Sequence, residues 1–128
     1  LHGANVFADG VLGPTLIDFG DVGLALAAMN PVTLELSLLF HPNGPLHGLD
    51  APGLDLDRWA DVESFALDSP YAEFISACRS WALSVSDPIT VMATGYAHAM
   101  RQLKYPDIPK SVALAIARSA ATALLELA

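Results

Sequence analysis

Asn5 and Asp18 are the residues of this chain whose types and spacing best suit chemistry. They stand thirteen positions apart in LHGANVFADGVLGPTLIDFGD, with two short apolar runs and a turn between them. NVFA reads as a strand, DGVLGP carries the turn signals Asp9-Gly10 and Gly13-Pro14, and TLID reads as the returning strand. Facing residues of an antiparallel hairpin share a common sum. A turn centred between Val11 and Leu12 therefore sets Asn5 opposite Asp18, with Cα atoms about 5 Å apart. An amide oxygen and a carboxylate placed this way suit a hard cation such as Mg²⁺, which takes one or two carboxylates and completes its octahedron with water and phosphate. The same two residues also read as an Asn that ends a loop and an Asp that caps the next turn.

Other polar residues offer less. His41 and His47 flank PNGPL with Asp50 close by, a spacing that fits either a metal site or two loop histidines. His98 lies between alanines and reads as a partly buried helix residue. Cys78, near Ile75 and Trp81, reads as a buried thiol, and a single cysteine excludes an internal disulfide. Asp55, Asp57, Asp61 and Glu63 read as a solvated helix start favoured by the helix dipole. Trp59, Trp81 and Tyr96 read as core or interface aromatics.

The elements that must position these groups are mostly helical. Three pairs, Asn30-Pro31, Ser69-Pro70 and Asp87-Pro88, combine a capping side chain with a proline where no N–H partner is required. They predict helices through 31–40, 70–85 and 88–105. A short helix is expected within 55–67 and a last one over 109–127, with a Pro/Gly-rich loop over 41–54. Apolar stripes are expected at Phe74, Cys78 and Trp81, and at Met92, Tyr96, Met100 and Leu103. The fold class predicted is mainly α with a small N-terminal antiparallel β-hairpin, in one domain over 1–128: loop end, hairpin and metal motif in 1–21, helical subdomain in 30–128.

Composition narrows the partners. Of 128 residues 53% are hydrophobic and only 16% charged, and the net charge is −8. Nucleic acid and anionic membrane surfaces are poor partners for such a chain. Its apolar richness calls for a large core or a face that expects a partner. The C-terminal apolar run is interrupted by Arg118 and Glu126, so it reads as a core helix rather than a membrane span. The cytoplasm is the expected compartment.

The words around Asn5 and Asp18 add a resemblance. Leu1-His2-Gly3-Ala4-Asn5 is similar to the end of the H-G-D-x-H-x-x-N catalytic loop of the aminoglycoside-phosphotransferase and choline-kinase branch of the protein-kinase-like fold. Ile17-Asp18-Phe19-Gly20 is similar to that branch's I-D-[FW]-[GE] metal motif. Asn30-Pro31 with Glu35-Leu36 resembles its D-P-x-x-x-[DE]-L helix, with Asn in place of the first Asp. The run PVTLELSLLFHP also resembles a phosphotransferase-like domain of bacterial ternary-complex conflict systems. The resemblance implies the helical C-terminal lobe of a kinase-like enzyme using ATP and Mg²⁺ on a small-molecule hydroxyl. Asn5 and Asp18 would be metal ligands, with Asp18 bridging metal and nucleotide phosphates. His2 would hold loop geometry, Asp21 would stand behind the metal motif toward the cofactor, and Glu35 would brace the catalytic loop. His47 and Asp50 would fall near the acceptor.

The match covers the first 40 residues well and the later helices only in kind. The catalytic Asp of the branch is expected one residue before Leu1. No G-x-x-x-x-G-K-[ST] or G-x-G-x-x-G occurs in the sequence. The nucleotide lobe is accordingly expected as a partner of this lobe, with self-association as the other way to cover its apolar surface. The alternative function is a non-catalytic kinase-like interaction module in a multidomain bacterial protein.

Overall fold

The computed structural model describes residues 5–11, 13–16 and 23–128. Two strands, β1 (Val6–Asp9) and β2 (Gly13–Leu16), pair antiparallel, and five helices follow: α1 (Met29–Phe40), α2 (Val62–Ala66), α3 (Ala72–Val85), α4 (Pro88–Gln102) and α5 (Lys110–Leu127). A 3₁₀ turn at Leu56–Arg58 precedes α2. The described chain is mainly α with an N-terminal hairpin, as the sequence predicts.

The hairpin register differs from the expected one. Val6 pairs with Leu16, Phe7 with Thr15, Ala8 with Pro14 and Asp9 with Gly13. The pairing sum is 22, whereas Asn5 facing Asp18 requires 23. Gly13 adopts φ +76°, a left-handed conformation that suits glycine, and the reversal between Asp9 and Gly13 takes an odd number of residues.

Helix α4 starts as its sequence dictates: the Asp87 carboxylate accepts from the Thr90 N–H at 3.0 Å, and Pro88 occupies the first turn. Helix α1 does not. It begins at Met29 with Ala28 at the N-cap, so Asn30 lies inside the first turn. Ser69 acts one turn before α3, accepting from the Tyr71 N–H at 3.1 Å. The short helix expected within 55–67 splits into the 3₁₀ turn and α2, with the Asp61 side chain capping α2 through Ser64.

The core gathers where α1 lies along α3 and α4, and α4 along α5. Val32, Leu36, Trp59, Phe65, Ile75, Val91 and Ile116 are fully enclosed. Alanines 113, 117 and 120 give α5 a buried face of small residues against its neighbours. Both expected stripes are rotated by about one position. Helix α3 buries Ile75, Cys78, Arg79 and Ala82, leaving Phe74 and Trp81 partly in solvent. Helix α4 buries Val91, Met92, Gly95 and Ala99, leaving Tyr96 and Met100 outside. The cause is Trp59. A Cβ on Gly95 would sit 2.0 Å from its Cη2, so α4 presents its one residue without a side chain to the indole. Gly95→Ala should therefore destabilise the fold by roughly 1–3 kcal/mol, the usual cost of overpacking a filled core. A chemical-denaturation midpoint equal to that of the parent would refute this contact.

Candidate functional site

Of the four residues expected at the metal end, the structure describes only Asn5. It is half-buried, immediately before β1. His2, Asp18 and Asp21 lie outside the described residues. The hairpin that must separate Asn5 from the second motif is formed, with the ladder offset by one residue from the facing pair anticipated above. No cluster of three or more His, Cys, Asp or Glu side chains poised for a metal occurs among the described residues.

Glu35 has a full set of partners. It is enclosed on α1, and its carboxylate accepts from the Trp59 indole N–H at 2.7 Å and from Arg79 Nη2 at 2.8 Å and Nε at 3.0 Å. Arg79 is equally buried on α3. It also donates to the Trp59 carbonyl at 3.0 Å and the Ala60 carbonyl at 3.4 Å, and its guanidinium carbon lies 4.3 Å from the Trp59 ring centroid. One buried fork thus joins α1, α3 and the segment before α2. A carboxylate and a guanidinium can share the interior because geometry and extra hydrogen bonds offset their desolvation. Glu35 is a brace, but its described partners are Arg79 on α3 and Trp59 rather than the N-terminal loop that the resemblance implied. Arg79 was not singled out by sequence, although its signal was present: a lone cation four residues after Ile75 on an otherwise apolar face. Cys78, next to this pair, is buried, and burial first and the Glu35 charge second push its thiol up to about 12. It is no nucleophile at neutral pH.

A second constellation lies at the C-terminal ends of α1 and α4. A pocket of about 340 Å³ opens there, with Phe40, Pro42 and Ile108 as apolar walls and His98, Arg101 and Gln102 among its polar lining. The His98 ring stands 5.9 Å from that of Phe40. Burial, with the nearby Arg101 charge adding to it, lowers the imidazole to about 4. His98 is accordingly neutral in the folded chain at pH 7, as its half-buried place on α4 requires. An unfolded chain would protonate it from about 6.5 downward. Stability linked to His98 should be complete above about pH 6.5 and fall as pH drops toward 4, because in that window the unfolded state binds the extra proton. Urea midpoints at pH 4.5 and 7 should differ less in His98→Gln than in the parent. An unchanged difference would remove His98 as the source.

The other two histidines among the described residues, His41 and His47, both have polar partners. His41 accepts from the Asn43 N–H through Nδ1 at 3.1 Å. His47 sits between the Leu39 carbonyl, 3.3 Å from Nδ1, and the Asp107 carboxylate, 3.4 Å from Nε2, pinning the Pro/Gly loop to the segment before α5. His47 and Asp107 form a pair across the fold. His41 and Asp50 do not join it. The acidic cluster is on the surface, as expected: Asp55 pairs with Arg58, Asp57 with Arg118, and Asp61 with the Ser64 hydroxyl. Its hydrogen bonds to Ser64 hold the Asp61 carboxyl below its ordinary range.

Among the described residues no helix is long and apolar enough to cross a membrane. No family model matches the chain, and neither curated proteins nor solved structures yield a significant match.

Proposed function

We propose that this chain is the metal-binding and acceptor lobe of an ATP- and Mg²⁺-dependent phosphotransferase acting on a small-molecule hydroxyl. The observation that carries the reading is a β-hairpin, β1–β2, lying between the HGAN and IDFG words, with a helical body behind it. In this reading the Asn5 amide and the Asp18 carboxylate hold the ion, Asp21 stands behind them, and His2 shapes the loop. The ion neutralises charge on the nucleotide phosphates. In this reading the contribution of this chain is position: oxygen ligands from the two motifs that flank the hairpin in sequence, and a helical body braced through Glu35 and Arg79 to keep the acceptor in line. Its partner is the nucleotide-binding lobe.

The test is a nucleotide titration of the full-length protein with Mg²⁺ and again with excess chelator. Saturable binding that the chelator weakens is the expected result. Nucleotide binding that is absent, or indifferent to Mg²⁺, would leave an interaction module as the better account.

A further inference from the structure

The pocket between α1 and α4 has a charge environment unlike the rest of the chain. The protein carries a net charge of −8, yet three of its six cationic side chains, Arg101, Lys104 and Lys110, fall within ten residues of sequence, and Arg101 lines the pocket. The other three each face a carboxylate: Arg58 with Asp55, Arg79 with Glu35 and Arg118 with Asp57. None of Arg101, Lys104 and Lys110 forms an ion pair with a described carboxylate. Lys104 Nζ instead lies 4.8 Å from the Tyr105 ring centroid, and Lys110 donates to the Tyr105 carbonyl; Lys104 first, with Arg101 adding to it, draws the phenol below its ordinary pKa. The one acid on the pocket wall, Asp107, faces His47.

We propose that this pocket binds a small organic anion, with an apolar or aromatic body between Phe40, Pro42 and Ile108 and a carboxylate at Arg101. A volume of about 340 Å³ is at the lower end for small-molecule sites, and apolar walls with a few convergent polar groups are their usual lining. The tilted Phe40 and His98 rings offer aromatic surface, and an uncharged imidazole there does not repel a flat apolar body. A guanidinium at the mouth supplies the planar fork that carboxylates match, and a bound carboxylate provides the counter-charge that Arg101 lacks. Inorganic phosphate satisfies the charge but leaves the apolar walls wet. The proposal does not depend on the phosphotransferase reading, because it uses no residue of the hairpin or the metal motif.

The test titrates the full-length protein with benzoate, with benzamide as the neutral isostere and inorganic phosphate as the bare anion, read by calorimetry. Benzoate is expected to saturate with a Kd of about 1 mM or tighter, and benzamide to bind about tenfold more weakly. Phosphate should not displace benzoate at equal concentration. Arg101→Gln, on an exposed side chain that leaves the melting temperature unchanged, should weaken benzoate about tenfold and leave benzamide unaffected. Arg58→Gln, which touches no part of the pocket, should change neither. Absence of saturable benzoate binding, equal affinity for benzamide, competition by phosphate, or an Arg101→Gln affinity equal to the parent would each overturn the assignment.

Discussion

Glu35→Ala is expected to cost about 3–5 kcal/mol of stability, the penalty for removing one partner of a buried ion pair. Deleting the carboxylate leaves the Arg79 guanidinium enclosed without its counter-charge, its Nε donor and one Nη2 hydrogen facing a void, and orphans the Trp59 indole N–H. The two carbonyls that Arg79 also reaches, of Trp59 and Ala60, cannot neutralise a charge. For a chain of this length the melting temperature should fall by on the order of 10 °C or more. Glu35→Gln should fall between, since its amide keeps one acceptor but turns a donor toward the donors of Arg79. The informative variant is the pair Glu35→Met with Arg79→Leu. It removes both charges together, and replacement of a buried pair by well-packed apolar groups is often neutral or better. Recovery of most of the lost stability in the double variant would separate the cost of an unpaired charge from the worth of the pair. A loss below about 1 kcal/mol in Glu35→Ala would mean that the fork is solvated in solution.

Helix positions were legible in the sequence because proline and glycine punctuate it and the apolar periods are long. Asp87-Pro88 shows this best: cap, proline and first turn all fall where local chemistry puts them. The facing of the helices was less legible, for a reason that can be stated residue by residue. Periodicity weighs Phe74, Trp81, Tyr96 and Met100 by their hydrophobicity, and all four are partly in solvent. The rotation of α3 and α4 was decided by two residues that such a scale discounts. Arg79 turns inward to meet Glu35, and Gly95 turns inward to make room for Trp59. Both are long-range demands, between positions 44 residues apart in the first case and 36 in the second, and no local window contains them. The hairpin shows the same limit on a smaller scale. Its existence follows from the turn residues, but its register follows from whether the loop holds an even or an odd number of residues, which glycine at φ +76° decides. The pocket was missed because its lining comes from two segments far apart in sequence, 33–42 and 98–108. Its one local trace is the bunching of cations over 101–110 in an acidic chain.

On the proposed phosphotransferase reading, Asp18→Ala in the full-length protein should reduce phosphate transfer by about a thousandfold or more, the scale on which charge-stabilising groups act at phosphoryl-transfer sites. The argument is one of charge. Asp18 would supply the only formal negative charge that the two motifs direct at the ion, and Mg²⁺ gives up water reluctantly unless a carboxylate compensates it. Asn5→Ala should cost less, because a neutral amide oxygen is partly replaceable by water in the same coordination position. Glu35→Ala should act in a third way, lowering the melting temperature strongly while changing kcat of the still-folded fraction little, since its carboxylate is spent on Arg79 and Trp59. Kinetics at saturating Mg²⁺ on the three variants, with thermal melts alongside, distinguish these outcomes. The order Asp18 below Asn5 below Glu35 in kcat, with the reverse ranking of thermal damage for Glu35, requires that the metal end and the brace be separate devices. A near-parental kcat in Asp18→Ala would remove the ion from the hairpin altogether, and the thirteen-residue spacing of Asn5 and Asp18 would then reflect nothing more than the length of a turn and two short strands.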